Sequence, residues 1–337
     1  MRDYTDWAKE DWSERNDGQI PSLSVVLDPI RLRKNLRFLS LPPRQWGKLG
    51  EIRIHVLRCH KGRCTFEVVL GTTTGVHTLI GKVYAMDASD IFQAMERISQ
   101  AGFGPEAEFS VPEPLAHFVA LHLLMQEKVE GLLAKEVFLT GSDGERVVAA
   151  ERCGRWLARF HAVAPKAGPV FDLDGYLTFL EQCSRGVASS GDPLSGKVAR
   201  LFHCLELAAS AMNQVDTRAC HGDYGPIQVI LANGRTATCD WDKHGVADPN
   251  RDVARFLVQL ERLALKRFGS IWALDGAAGV FLKTYTGLAG AAIEVNLQFY
   301  KAANHLKWIT EKIDKPDWRE GIEMALEKSL RALEGIH

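Results

Sequence analysis

Two carboxylates and one amide oxygen fall at positions where a single β-hairpin would bring them together. Asp223 precedes an apolar segment that begins at Gln228, and Asp240 follows the segment that comes next. Oxygen ligands without thiols or clustered histidines suit Mg²⁺ better than Zn²⁺. The side-chain oxygens of Asp223, Gln228 and Asp240 therefore indicate a polar site that suits Mg²⁺.

The hairpin itself is predicted from its turn. Asn233-Gly234 is a strong signal for a two-residue turn, because both positions tolerate positive φ. Its strands would be Gln228–Ala232 and Arg235–Cys239, in a register where 232 faces 235 and 228 faces 239. Gln228 and Asp240 then lie side by side at the open end, where opposed Cβ atoms are about 5 Å apart.

The periodicity of the rest of the chain predicts which elements position this hairpin. Alternating apolar and polar residues predict an antiparallel meander before residue 100, and one helix follows it and ends near Gly102. Another short strand is expected at Leu121–Met125, and beyond Gly131 the pattern becomes helical. The three meander strands are predicted at Glu51–Cys59, Cys64–Leu70 and Thr78–Ala85.

Two helices are predicted with particular clarity in the second part of the chain. One carries an apolar stripe from Cys153 to Phe160, and the other begins at Asp248-Pro249, with Asp248 as its cap and Pro249 as its first residue. Strands followed by helices indicate an α+β fold. We expect an N-terminal extension over residues 1–50, a strand-rich lobe over 51–125, and a helical lobe with the hairpin over 126–337.

Composition excludes several functional classes. The 337 residues are 46% hydrophobic and 25% charged, with a net charge of −1, so neither a nucleic-acid partner nor an anionic membrane surface is expected. No apolar run is long enough to cross a bilayer, and the N-terminus does not resemble a signal peptide. The seven cysteines are odd in number and form no C-x-x-C pair, which predicts reduced thiols in a cytoplasmic protein.

The motif His221-Gly222-Asp223, followed by Gln228 and Asp240, resembles the catalytic and metal-binding loops of protein kinases. The H-G-D form is closer to the aminoglycoside phosphotransferase and choline kinase family. That resemblance implies a bilobal, protein-kinase-like fold that uses ATP and Mg²⁺ to phosphorylate a hydroxyl of a small molecule. Asp223 would be the catalytic base, and Gln228 and Asp240 would bind the metal.

Further segments match that family in order along residues 50–265 of the chain. Gly154–His161 resembles its G-x-x-L-A-x-L-H helix, and Asp248–Ala254 resembles its D-P-x-x-D-L-A helix start. The latter match implies that Asp252 bonds the backbone of the catalytic loop. His221 is interpreted as a residue that fixes this loop rather than as an acid or base.

The resemblance also implies where the nucleotide binds. Lys82 matches the phosphate-binding lysine, and Glu96, fourteen residues later, is its expected ion-pair partner. Leu124–Gly131 resembles the hinge between the lobes, whose backbone receives adenine, and this makes Gln126 and Lys128 candidate nucleotide-binding residues.

The sequence departs from the family pattern in two places. Gln228 stands where the pattern has Asn, so its side chain is one methylene longer. The turn between the first two strands has only Gly62 instead of a glycine-rich loop, and Lys61 and Arg63 could neutralise phosphates there or simply be solvated. These departures favour an alternative, a kinase-fold nucleotide-binding protein with little or no catalysis.

A second enzymatic alternative interprets Asp240-Trp241-Asp242 as the D-x-D metal site of a glycosyltransferase, although such folds alternate strands and helices. Asp242 itself could bind metal or substrate, or lie on the surface. The acceptor stays open at this point. The segment from His305 has seven acidic and six basic residues, so no acidic wall for a polycationic aminoglycoside is evident.

Overall fold

The computed structural model describes residues 20–36, 46–60, 62–212, 215–289 and 296–334. The chain forms two compact units, the first made of Met1–Gln100 with Val111–Val129 and the second of Ala101–Ser110 with Glu130–His337. The first is built around strands and the second mainly from helices. The predicted limits of the two lobes stay predictions, as does the extension over residues 1–50, much of which lies outside the described residues.

The first unit is a five-stranded antiparallel sheet with the order β1-β2-β3-β6-β5. Its helices and strands are α1 (Leu23–Val26), α2 (Pro29–Asn35), β1 (Leu49–His60), β2 (Arg63–Thr72), β3 (Gly75–Tyr84), α3 (Ser89–Ile98), β5 (Pro114–Phe118) and β6 (Leu123–Glu127), while β4 (Phe109–Ser110) belongs to the second unit. The predicted meander is confirmed. Every second residue of β2 from Cys64 to Leu70, among them Phe66 and Val68, is fully buried, as alternation predicts.

Cys59 and Cys64 correct the prediction that all cysteines are reduced. They face each other across the β1–β2 hairpin, with 4.1 Å between their Cα atoms, and form a disulfide. The prediction was wrong for this pair because it weighed cysteine number and motif and left aside the register that the hairpin imposes. These two cysteines therefore do not support the expectation of a reducing compartment.

Beyond Gly131, the described residues of the second unit form eight α-helices of four residues or more. After β7 (Leu132–Leu133) come α4 (Ala134–Thr140), α5 (Asp143–Val163), α6 (Leu173–Ser190), α7 (Ser195–Ser210), β8 (Arg218–Cys220), β9 (Val229–Ala232), β10 (Arg235–Thr238), β11 (Gly245–Ala247), α8 (Asn250–Phe268), α9 (Asp275–Ala289), α10 (Leu297–Lys312) and α11 (Arg319–Glu334). None of the helices in the described ranges is both long and apolar enough to cross a bilayer.

The predicted hairpin forms with the predicted register. Arg235 pairs with Ala232 and Thr238 with Val229, and the N–H of Cys239 donates to the carbonyl of Gln228 at 2.9 Å. The guanidinium of Arg152, from α5, donates to the carbonyl of Ala232 at 2.8 Å and so fixes the turn end. The hairpin is thus anchored at its turn, and the site residues lie at its opposite, open end.

The helix α5 presents its predicted stripe to the core. Cys153, Trp156, Leu157 and Phe160 are all buried, and the rings of Trp156 and Tyr224 stack 5.5 Å apart between centroids. Tyr224 follows the predicted base directly, and its hydroxyl donates to the carbonyl of Cys153 at 2.9 Å. The loop that carries Asp223 is therefore packed onto the aromatic core of this unit.

A buried ionic cluster joins the helices α8, α10 and α11. Glu261 on α8 accepts from His305 of α10 at 2.5 Å and from Lys328 of α11 at 3.0 Å. Burial alone would raise the pKa of Glu261, but His305, Lys301 and Lys328 lower it to about 2. The cluster thus stabilises the folded form with an ionised glutamate.

Glu261→Gln is expected to lower the free energy of unfolding at pH 7 by roughly 3 kcal/mol, the value of a pKa shift of this size. Because the folded pKa is depressed, this contribution is complete above about pH 4.5 and is lost as the pH falls toward 2. Urea unfolding at pH 7, 5 and 3 measures it. Glu327→Gln, an exposed substitution on α11, is the control. A wild-type advantage that does not shrink with acid would contradict this assignment.

Candidate active site

A buried carboxylate shapes the loop that carries Asp223. Asp252, in the first turn of α8, accepts the N–H of His221 at 2.7 Å and the N–H of Gly222 at 2.9 Å. Nε2 of His161 lies 3.3 Å from the same carboxylate. The predicted structural role of Asp252 is confirmed, although α8 begins at Asn250, one residue later than predicted.

His221 fixes the loop from the other side, as predicted. Its Nδ1 accepts the N–H of Asp223 at 3.3 Å, so Nε2 carries the proton and donates to the carbonyl of Cys239 at 3.0 Å. Complete burial lowers the pKa of His221 against the opposing effect of Asp252 and other carboxylates, which agrees with this neutral tautomer. His221 thereby ties the loop to the end of β10.

Gly222 permits the tight approach of two loops. Its φ is +78°, and a Cβ at this position would overlap the carbonyl oxygen of Lys243. A residue with a side chain would be strained in this conformation and would push the loops apart. The glycine of the H-G-D motif is therefore required by the backbone.

Asp223 is held by two cations that the motif did not identify. Nε and Nη2 of Arg255 each lie 2.8 Å from Oδ1, and Nζ of Lys243 lies 2.9 Å from Oδ2. Burial alone would raise the pKa of Asp223, but Arg255 and Lys243 hold it below its ordinary value. Asp223 is therefore an ionised hydrogen-bond acceptor at neutral pH.

The two cations differ in how firmly they are placed. The side chain of Arg255 is 15% exposed and that of Lys243 is 56% exposed. An exposed ion pair contributes little and exchanges readily. Oδ2, bound by Lys243, is therefore the oxygen that is more easily released to another hydrogen-bond donor.

The predicted metal ligands lie at the open end of the hairpin. Gln228 directly precedes β9, and Asp240 directly follows Cys239, whose N–H donates to the carbonyl of Gln228. Asp240 adopts φ +73°, a left-handed conformation that Asp and Asn tolerate better than other side chains. Oε1 of Gln228 lies 3.2 Å from the position that a Cβ on Gly225 would occupy, so the amide folds back toward the loop that carries Asp223.

The other predicted site residues lie in the first unit. Lys82 is on β3 and only 7% exposed, Glu96 is half-buried on α3, and Gln126 is buried on β6. Nζ of Lys128 lies 2.7 Å from Oε2 of Glu67, so its ammonium is paired on the sheet. Their nucleotide-binding roles stay predictions. Lys61 lies outside the described residues.

A buried triad beside the loop could be taken for a metal site. His161, Cys220 and Asp252 bring ligand atoms within 4.8 Å of one another. The carboxylate of Asp252 is already occupied by two backbone donors and His161, and Nδ1 of His161 lies 2.7 Å from the hydroxyl of Tyr285. The triad is therefore a structural hydrogen-bond network.

The geometry around Asp223 agrees with the comparison of the whole chain with known families. Residues 65–291 match the sequence profile of the phosphotransferase enzyme family. The chain belongs to that family. The phosphotransferase activity predicted from the H-G-D hairpin is therefore confirmed at the level of the family, while a search of curated proteins finds no match.

Solved structures share the fold of this phosphotransferase. A choline/ethanolamine kinase family protein from Mesorhizobium loti has a TM-score of 0.57 and 17% identity over 90% of this chain and 95% of that chain. A choline kinase from Streptococcus pneumoniae has a TM-score of 0.52 and 14% identity over 84% and 94%. At such identities the likeness establishes the fold alone, and it confirms the predicted α+β, protein-kinase-like class.

A thermostable mutant of the aminoglycoside phosphotransferase APH(4)-Ia, solved with ADP and hygromycin B, is also similar. Its TM-score is 0.56 and its identity is 15%, over 88% of this chain and 97% of that chain. The fold of this chain is thus shared by a choline kinase and by a protein that was solved with hygromycin B.

Proposed function

We propose that the protein transfers the γ-phosphate of ATP to a hydroxyl group of a small molecule. The observation that carries the proposal is the fixed H-G-D loop, which holds an ionised Asp223 beside the open end of a hairpin carrying Gln228 and Asp240. Membership of the phosphotransferase enzyme family supports it, and a relative of the same fold was solved with ADP.

Asp223 orients the acceptor in this proposal. Its carboxylate accepts the hydrogen bond of the incoming hydroxyl through Oδ2, the oxygen that Lys243 releases more easily. The acceptor oxygen forms a bond to the γ-phosphorus, the bond to the ADP oxygen breaks, and the hydroxyl proton passes to Asp223. A low pKa suits this role, because phosphoryl transfer depends on positioning more than on a strong base.

The donor set at the hairpin fits Mg²⁺. Asp240 supplies a carboxylate and Gln228 an amide oxygen, both hard ligands, and Asp240 is held in a backbone conformation that few residues adopt. When bound, Mg²⁺ would neutralise charge on the phosphates. In the first unit, Lys82, Glu96, Gln126 and Lys128 are the proposed nucleotide-binding residues.

Asp240→Asn tests the metal assignment. The substitution keeps a side chain that tolerates the left-handed backbone and removes one charge, so we expect Mg²⁺-dependent ATP binding to weaken by about 10- to 100-fold or more. Calorimetric titration of ATP at several Mg²⁺ concentrations measures this. Asp216→Ala, an exposed carboxylate of the same unit, is the control. Equal Mg²⁺ dependence in Asp240→Asn and wild type would rule out the assignment.

The decisive experiment for the function itself is product detection with labelled ATP across alcohols, amino alcohols, sugars and their phosphates. Gln228 in place of Asn, together with two ion pairs on Asp223, favours the alternative of a nucleotide-binding protein without turnover. MgATP binding without any labelled product across the panel would support that alternative.

A further inference from the structure

A pocket of about 130 Å³ opens beside Asp223 within the second unit. A cavity of this size is comparable to an engineered one that holds benzene, so it suits a small molecule or the end of a larger one. Its described lining consists of Tyr176, Gly222, Asp223, Lys243, Arg251, Arg255, Tyr300, Asn304 and Lys307.

The charges in this lining are unbalanced. Among the described residues that line it, four are cationic and Asp223 is the one carboxylate. Asp223 accepts from Arg255 and Lys243, which leaves Arg251 and Lys307. Neither of these two has a carboxylate within ion-pair distance in the part of the chain that the structure describes.

The surroundings hold both side chains at the pocket. The guanidinium of Arg251 lies 3.6 Å from the ring centroid of Phe171, and Lys307 is half-buried on α10. Burial lowers the pKa of Lys307, and the charges of Arg255 and Lys243 lower it further against the opposing effect of Glu311 and Asp223. The nearby Glu311 lies 3.4 Å from Arg262 instead. Partly buried cations that repel one another are stabilised by an anion placed between them.

We propose that the phosphate acceptor is a small hydroxyl compound that carries an anionic group, either a phosphate or a carboxylate. Its hydroxyl meets Asp223, and its anionic group binds Arg251 and Lys307. The inference rests on the proposed phosphotransferase function. An anionic acceptor would distinguish this chain from the aminoglycoside phosphotransferase APH(4)-Ia, which was solved with hygromycin B.

Four small probes test the charge preference without turnover. Glycerol 3-phosphate, D-glycerate, glycerol and choline are titrated calorimetrically into the full chain saturated with Mg²⁺ and AMP-PNP. At least one anionic probe should bind about 10-fold or more tightly than glycerol, because hydrogen bonds to charged groups are the stronger ones. Choline should bind most weakly, because it is a cation and the pocket is lined by cationic side chains. The stronger of the two anions identifies the group.

Lys307→Met locates the binding to this pocket. It keeps an unbranched side chain of similar length and removes the charge, so the favoured anion should bind about 10-fold more weakly. The substitution should not lower the temperature of thermal unfolding, because it removes a cation that Arg255 and Lys243 repel. Lys312→Met, the same substitution on the same helix outside the lining, should leave binding unchanged.

Several outcomes would overturn the proposal. They are equal or tighter binding of glycerol or choline, no binding of either anion at millimolar concentration, and unchanged affinity in Lys307→Met. Mutual exclusion of the anion and AMP-PNP would also overturn it, because the pocket would then hold nucleotide phosphates. Labelled-ATP transfer is measured separately, so loss of the proposed function and loss of the anion preference are distinguished.

Discussion

Asp223→Asn should reduce kcat by about 10² to 10⁴, the usual range for a positioned general base. The amide keeps the shape of the side chain and loses the charge that accepts the hydroxyl proton. Gln228, Asp240 and Lys82 remain, so the affinity for MgATP should change little. The loss should appear in kcat more than in the KM for ATP, because the interaction matters mainly in the transition state.

The ion pairs of Asp223 determine the control for this experiment. Removing the charge leaves Arg255, a side chain that is 15% exposed, without its carboxylate, so stability falls together with activity. Arg255→Met is the control for this loss of stability, because it removes the same ion pair and leaves Asp223 in place. If Asp223→Asn transfers phosphate as fast as the wild type, Asp223 is not the base.

Asp252→Ala should be among the most destabilising single substitutions in the second unit. It leaves two backbone N–H groups and the buried His161 without their acceptor, and losing one partner of a buried ionic network costs about 3–5 kcal/mol. Chemical unfolding of the second unit measures the loss. Phosphoryl transfer should fall as well, because the loop that aims Asp223 would no longer be fixed.

The pKa of Asp252 gives this prediction a dependence on pH. Burial alone would raise the pKa, but the bond to His161 and the backbone donors hold it below its ordinary value. The contribution to stability is therefore present above the carboxylate's usual pKa and is lost as the pH falls through the depressed one. Asp172→Ala, which removes an exposed helix cap at Gly175, is the control. An equal cost in both variants would contradict the role of Asp252.

Local signals predicted the part of the site that depends on local geometry. Asn233-Gly234 determined the turn, and the turn determined which residue faces which along the hairpin. The family resemblance supplied the bond from Asp252 to the loop, which spans about thirty residues and has no signature in periodicity. Both were predictable because a short motif encodes each of them.

The cations around Asp223 were not predictable in this way. Arg255, Lys243 and Lys307 come from a helix, a loop and a second helix far along the chain, and only tertiary packing brings them to one pocket. Within its own segment of the sequence, each of these three residues resembles an ordinary solvent-exposed charged side chain. The disulfide, in contrast, was predictable from the sequence, because the turn after Cys59 places this residue opposite Cys64.

Three of the residues that line the pocket lie together on one helix. Tyr300, Asn304 and Lys307 follow one another at spacings of four and three residues, so they form a single stripe on α10. Asp223, Gln228 and Asp240 belong to loops and strand ends elsewhere in the sequence. Substitutions on the stripe can therefore exchange one acceptor for another without altering the transfer chemistry, and the two properties can be selected separately.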